Sequence, residues 1–167
     1  MKKLFLLLLV TLLPLAAGAQ IRFGYFSYET VLKAMPEYVA AQRSVDDLRG
    51  KYDAEMKRAE QEFNDKYEEF LEVQRDLVPT ILRKRQTELQ DMMDKNVAFR
   101  NDAQRLLRQA ETDAYNPVRR KLDEAVAAVG RERGYAFVIN TDGNACPYVS
   151  PEMGEDATEF IKAKISK

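Results

Sequence analysis

The chain contains no histidine and no tryptophan, and Cys146 is the single cysteine among its 167 residues. Without histidine there can be no Ser-His-Asp or Cys-His catalytic set, no usual zinc ligand set, and no imidazole general base. A lone cysteine excludes an internal disulfide, so the thiol is either buried or open to pairing between molecules, and we expect burial. No glycine-rich phosphate loop or metal-ligand spacing occurs either. The sequence therefore predicts a protein that is not an enzyme and has no catalytic residue, metal or cofactor.

Glycine is also absent from residues 51–129, where the only prolines are Pro79 and Pro117. Together with Pro36, these prolines bound two arms of similar length that are dense in Glu, Lys, Arg, Gln, Leu and Ala. These residues are among the least costly in a helix. We therefore predict a long antiparallel helical hairpin over residues 37–116, with its turn near Pro79. Proline inside a helix removes a donor and clashes with the preceding turn, so Pro117 is expected to interrupt or kink the second helix.

Residues 1–19 have the features of a cleavable export signal. Lys2 and Lys3 precede an apolar run, residues 4–16, and small residues follow at the spacing that a signal peptidase recognises. The run is shorter than the ~20 apolar residues that span a bilayer, and no cysteine follows it to carry a lipid. We predict cleavage after Ala19 and no stable membrane anchor afterwards. An uncleaved anchor is the alternative.

The charge of the exported chain argues against a nucleic-acid partner. The sequence has 26 Lys and Arg, and removing Lys2 and Lys3 leaves 24 against 27 Asp and Glu, a net charge of about −3. Such a balance provides no basic footprint for binding nucleic acid. Two local basic clusters, residues 83–85 and 119–121, are expected to be solvated helix faces.

Apolar residues recur along both arms at steps of three and four, which indicates helices that each bury one face. The positions expected in this seam are Val45, Leu48, Tyr52, Met56, Ala59, Phe63, Tyr67 and Phe70 in the first arm, and Leu89, Met92, Asn96, Phe99, Ala103, Leu107, Ala110 and Ala114 in the second. If Pro79 marks the turn, Ala59 faces Phe99. Asn96 then falls opposite Phe63, where it either fixes the register or weakens the seam.

The segments that flank the hairpin predict a small body containing β-structure, made of residues 20–36 and 117–167. Residues 22–26 and 135–139 are apolar and aromatic enough for strands, and residues 145–149 are predicted as a return strand after a polar turn. So small a sheet leaves edges and apolar faces uncovered, so we expect self-association. Residues expected in the core of this body or between its subunits are Phe23, Tyr25, Phe137, Val138, Ile139, Tyr148, Phe160 and Ile161.

Helices complete the predicted body. Ser27 suits the N-cap of a short helix, a further helix ends near Gly134, and the last helix begins near Asp156. The side chains expected to point inward from the last helix are Phe160, Ile161 and Ile165. The predicted fold class is thus α+β and mainly α, with a long helical hairpin projecting from a small oligomerisation body.

This order of elements resembles the Skp/OmpH-like family of periplasmic chaperones for outer-membrane proteins, over almost the whole exported chain. The resemblance rests on residues 21–26 as the first strand, 31–32 in the opening helix, 116–118 (Asn-Pro-Val) in the returning arm, 134–139 (Gly-Tyr and the following strand), and 156–158 (Asp-Ala-Thr) at the last helix. Ser27 stands where the family often has an acidic residue.

The resemblance implies a periplasmic homotrimer whose β segments join in a central body. Its hairpins would surround a cavity that holds unfolded outer-membrane proteins without ATP and prevents their aggregation. Lipopolysaccharide binding is not carried over, because this chain is slightly acidic where well-studied members are strongly basic.

Candidate client-contacting residues are Phe70, Met92, Met93 and Phe99, because methionine and aromatic side chains form adaptable surfaces. The same four side chains could instead pack only in the hairpin seam. The alternative function is that of a periplasmic coiled-coil spacer or an adaptor of an envelope complex, since a soluble hairpin serves either use.

Overall fold

The structure is a computed structural model that describes residues 21–166. The predicted export signal, with its cleavage site, lies outside the described residues. The elements in chain order are β1 (Phe23–Phe26), α1 (Tyr28–Ala34), α2 (Pro36–Val73), α3 (Pro79–Arg133), β2 (Val138–Asn140), a 3₁₀ turn (Asp142–Asn144), β3 (Gly154–Asp156) and α4 (Thr158–Ile165). The structure is 76% helical and has one small sheet, which confirms the predicted fold class, α+β and mainly α.

The chain forms two compact units. The hairpin unit is Pro36–Val118, and the body unit combines the described residues before Pro36 with those from Arg119 onward. Pro36 and Pro79 are the first residues of α2 and α3, where the missing N–H is not needed for helical hydrogen bonding. The first helix of the hairpin, α2, ends at Val73, although the arm was predicted to extend to the residue before Pro79. That residue, Val78, is disfavoured in a helix because a proline follows it.

The seam of the hairpin follows the predicted periodicity. All sixteen predicted positions are buried or half-buried except Tyr67, which is 44% exposed. Two contacts join the helices across the seam. Asn96 donates from Nδ2 to the Ala59 carbonyl oxygen at 3.2 Å, and the Phe99 ring contacts that of Tyr52 at a centroid distance of 6.2 Å. Residues 74–78 form the connection, so the turn is centred about three residues before Pro79.

Of the two effects expected at Pro117, an interruption or a kink, the interruption does not occur, because α3 is continuous from Pro79 to Arg133. Proline at this position leaves the carbonyl of Asp113 without its helical donor. Both Asp113 and Pro117 are exposed, so water can hydrate that carbonyl. The end of α3 matches the prediction: Gly134 has φ of 68°, and Tyr135 N–H donates to the Gly130 carbonyl at 2.9 Å.

The sheet of the body unit has the order β2-β1-β3, with both outer strands parallel to β1. The predicted return strand over residues 145–149 is wrong, because this segment is not a strand and the third strand forms at Gly154–Asp156. Pro147 cannot donate to a ladder, and a strand parallel to β1 needs a long connection rather than a tight hairpin.

Three side chains form the most buried part of the body core: Val31 from α1, Leu122 from α3 and Ile161 from α4. The predicted cap of α1 is confirmed, since Ser27 Oγ accepts from the N–H of Thr30 at 3.1 Å. In α4 the side chains of Ile161 and Ile165 are buried, as predicted. The same prediction is wrong for Phe160, which is 38% exposed.

Candidate functional site

Large apolar side chains remain exposed along the hairpin unit. Nine of its described residues have exposed fractions between 39% and 55%: Val39, Tyr67, Leu71, Val73, Val78, Ile81, Met93, Val97 and Leu106. A two-helix hairpin can bury only one stripe of each helix, so apolar residues off that stripe stay in contact with water. Exposed charged residues lie between most of them along the sequence.

A groove lies between the two helices where they approach the connection, and we call it the tip groove. Its volume is about 450 Å³. Its apolar lining consists of Phe70, Val73, Leu77, Ile81, Leu89 and Met92, and its charged rim of Lys66, Glu69, Arg85, Glu88, Asp91 and Lys95. Among these lining residues Phe70 is only 9% exposed, whereas Val73 and Ile81 are 42% and 45% exposed. The tip groove is therefore an open cleft with six apolar and six charged lining residues.

A second cavity, the middle pocket, lies further from the connection and has a volume of about 280 Å³. Its lining is Met56, Ala59, Glu60, Phe63, Asn64, Met93, Asn96, Val97, Phe99 and Arg100. The hydrogen bond from Asn96 to the Ala59 carbonyl crosses the seam at this pocket and ties the two helices together.

The four candidate client-contacting residues thus fall into two places. Phe70 and Met92 line the tip groove, and Met93 and Phe99 line the middle pocket. Met92 and Met93 line different cavities because successive residues of a helix point about 100° away from each other. Among the four, Met93 is the most open, with 44% of its surface exposed.

The basic cluster at residues 83–85 has acidic partners. Lys84 Nζ lies 3.7 Å and Arg85 Nη1 lies 3.2 Å from carboxylate oxygens of Glu88. The side chains of Lys84 and Arg85 are 74% and 57% exposed. Both facts fit the solvated helix face expected for this cluster.

The body unit carries its own exposed apolar residues. Phe137, 50% exposed, stacks on Phe23 with ring centroids 5.3 Å apart. Tyr148 is 76% exposed, and Cys146 beside it is half-buried, with its thiol donating to the Tyr148 carbonyl at 3.3 Å. Of the other residues predicted for the core or the contacts between subunits, Phe23, Tyr25, Val138 and Ile139 are half-buried and Ile161 is fully buried.

A polar cluster centred on Glu155 ties the end of α3 to β3. Glu155 accepts hydrogen bonds from Tyr135, Arg133 and Arg22, and the guanidinium of Arg133 also lies over the Phe160 ring at 3.7 Å. The bonds from Tyr135 and then Arg133 hold the pKa of the Glu155 carboxyl below its ordinary value. Burial, followed by the bond to Glu155, raises the pKa of Tyr135. The mutual bonding of all these groups marks the cluster as structural.

Within residues 21–166, no cluster of three or more Cys, Asp or Glu side chains has an arrangement that could hold a metal ion. None of the helices in that range combines the length and the apolar character needed to cross a membrane.

Comparison with known families identifies the chain. The family model described as outer membrane protein (OmpH-like) matches residues 22–165. The chain belongs to this OmpH-like family. No curated protein sequence matches it. The family consists of non-enzymatic periplasmic chaperones that bind outer-membrane proteins and oligomerise.

In this OmpH-like chain, Val73 and Ile81 are exposed residues of the tip groove that the seam periodicity does not indicate, because they lie off the apolar stripe near the turn. The available signal was the density of apolar residues on both sides of the connection, residues 71–82.

Proposed function

We propose that this protein is an ATP-independent periplasmic holdase that binds unfolded outer-membrane proteins and prevents their aggregation in transit. The observation that carries the proposal is the set of nine part-exposed apolar side chains distributed among charges along the hairpin unit. Membership of the OmpH-like family supports the same function.

The physical basis is the match between such a surface and an unfolded barrel strand. Strands of this kind alternate apolar and polar residues and aggregate when their edges meet. Full burial of a Val, Leu or Met side chain is worth about 1.5–3 kcal/mol, and each exposed hairpin side chain offers only a fraction of its surface. Binding is therefore spread over many weak contacts, which shields a client without imposing one conformation on it.

The proposal includes assembly into a homotrimer through the body unit. Both β2 and β3 are outer strands of the sheet, and five large apolar side chains of the body are exposed: Ile21, Phe137, Tyr148, Met153 and Phe160. Open strand edges beside apolar surface favour association with further copies. The proposal also takes residues 1–19 as a signal cleaved after Ala19, with residues 20–36 and 117–167 as the association body and 37–116 as the hairpin arm.

The direct test is suppression of aggregation. A denatured outer-membrane barrel protein is diluted from urea with and without the chain at a stoichiometric ratio, in the absence of ATP, and light scattering is followed. We expect the chain to suppress scattering. The variant Y67S/V97S/L106S should suppress it at least twofold less, because it removes exposed apolar surface from both helices.

The matched control for this test is E68S/N101S/R105S, which changes exposed polar neighbours on the same helices and leaves the net charge unaltered. It should behave as the unmodified chain does. If the unmodified chain fails to suppress scattering and instead captures one folded envelope protein stably, the spacer or adaptor function replaces the holdase.

A further inference from the structure

We propose that the tip groove is a subsite that receives aromatic and other large apolar side chains from one extended segment of an unfolded polypeptide. This inference rests on the proposed holdase function and assigns a defined place on the hairpin to part of the client.

The chemistry of the groove suits an apolar side chain. Six of its twelve lining residues are aliphatic, thioether or aromatic, among them Met92 and Phe70, which is only 9% exposed. Methionine sulfur and aromatic rings make favourable, geometrically tolerant contacts with further aromatic rings. The volume of about 450 Å³ lies within the ~300–1,000 Å³ of typical ligand pockets. The groove therefore has room for side chains of different shape.

The length of the groove suits an extended segment. On α3 its lining runs from Ile81 to Lys95, which are fourteen positions apart, and at a rise of 1.5 Å per residue this corresponds to about 21 Å. Six residues of an extended chain cover about 20 Å, and alternate side chains, three of the six, point to one side. A barrel strand has this alternation, with aromatic residues concentrated near both ends of its apolar band.

The charges at the rim favour a polypeptide over an anionic surface. Three rim residues are cationic and three anionic, so the border has no net charge, and Arg85 already pairs with Glu88 at 3.2 Å. A lipid headgroup or a nucleic acid would select for a cationic border. The polar side chains of an alternating strand, in contrast, can meet donors and acceptors of either sign along both helices.

The experiment uses methionine methyl groups as local reporters in the full chain. With ¹³C-methyl methionine, Met92 reports the tip groove, and Met35, 2% exposed in the body unit, is the internal reference. A twelve-residue peptide of alternating tyrosine and threonine should shift the Met92 signal on titration and leave Met35 unchanged. The same peptide with serine in place of tyrosine should shift neither signal.

A variant pair tests the site itself. Ile81→Asp places a charge at the groove wall and should weaken binding of the tyrosine peptide at least tenfold. Folding should be retained, because Ile81 is exposed and an acidic residue near a helix N-terminus is favourable. Gln104→Asp introduces the same charge at an exposed position of α3 outside the groove, and should leave affinity within twofold. Circular dichroism verifies that both variants keep the helical content of the unmodified chain.

The outcomes separate this inference from the holdase function. If the chain suppresses aggregation but the tyrosine peptide leaves Met92 unshifted, or Ile81→Asp binds it as well as Gln104→Asp does, the groove assignment is overturned and the holdase stands. A Met92 shift caused by anionic lipid vesicles and not by the peptide would also overturn the groove assignment. So would a smaller oligomer of Ile81→Asp by native mass measurement, because the occupant of the groove would then be a second copy of the chain. Failure to suppress aggregation would instead overturn the holdase function.

Discussion

At the residue scale, the most informative side chain of the hairpin is one that does not match the apolar seam. Asn96 lies half-buried in the seam, and its amide donates to the Ala59 carbonyl of the facing helix at 3.2 Å. A polar residue in such a position satisfies its donor in only one alignment of the helices, so it specifies register at some expense of stability. Of the two roles left open by the sequence, this hydrogen bond favours register.

The hydrogen bond of Asn96 can be measured against an exposed asparagine of the same helix. Alanine has the higher helix propensity, so Asn101→Ala should raise the free energy of unfolding by roughly 0.5 kcal/mol. Asn96→Ala gains the same propensity but loses the bond to Ala59, and should therefore lie about 1 kcal/mol below Asn101→Ala. Urea unfolding followed at 222 nm gives both values. Equal stabilities of the two variants would remove the register role.

Gly154 and Gly50 make a second matched pair at this scale. A Cβ on Gly154 would lie 2.6 Å from Cε2 of Phe23, whose ring stacks on Phe137, whereas a Cβ on Gly50 in α2 would meet nothing within 4 Å. We expect Gly154→Ala to destabilise the protein by about 1–3 kcal/mol through overpacking. Gly50→Ala should stabilise it by about 0.5–1 kcal/mol through helix propensity. Thermal unfolding of the two variants provides the measurement, and a stabilised Gly154→Ala would contradict the close packing of β3 on Phe23.

At the scale of elements, the sequence predicted the two helices of the hairpin, although not the end of α2 or the continuity of α3 through Pro117, and it did not predict β3. The long helices repeat their apolar spacing many times, so each turn adds to the same signal. The three residues of β3, Gly154–Asp156, have low strand propensity and become a strand only because β1 lies beside them. The same limit applies to the tip groove. Phe70 and Met92 were predicted as candidates, but their proximity to Val73 and Ile81 depends on where α2 ends, which local sequence gives least reliably.

Pro117 provides a prediction for α3. Its ring removes one helical hydrogen bond from the Asp113 carbonyl within a continuous helix, so Pro117→Ala should restore that bond and raise the free energy of unfolding by roughly 1–3 kcal/mol. Pro36→Ala is the control, because Pro36 is the first residue of α2 and gives up no helical bond. It should change stability little. Chemical denaturation compares the two, and a destabilised Pro117→Ala would show that the proline ring makes a contact the protein needs.

The Glu155 cluster links two elements and predicts a pH dependence. Because bonds from Tyr135 and Arg133 lower the pKa of Glu155 from 4.5, its contribution to stability is present above about pH 4.5 and is lost as the pH falls through the folded-state value. Glu155→Gln should therefore melt below the unmodified chain at pH 7, and this difference should shrink as the pH falls below 4.5. Glu159→Gln in α4 is the control, since the Glu159 side chain is 81% exposed and forms a surface ion pair with Lys162. A difference for Glu155→Gln that stays constant with pH would contradict the proposed charge interaction.

At the scale of the whole molecule, the body unit is the part least able to stand alone. Its three-stranded sheet has an outer strand on each side, and apolar side chains such as Phe137 and Tyr148 remain exposed. The hairpin unit, by contrast, is covered with charges and buries its own seam. Self-association through the body unit would cover this apolar surface.

Native mass measurement tests the assembly and the client together. We expect the exported chain to have the mass of three subunits, and addition of a denatured outer-membrane barrel protein should add one client to that trimer. Phe137→Asp should shift the mass toward single chains, because an unpaired charge would be desolvated in the apolar contact. Gln104→Asp, which adds the same charge in the hairpin unit, should remain trimeric. A stable monomer of the unmodified chain at micromolar concentration would contradict the trimer, and a trimer that gains no client mass would contradict the holdase function.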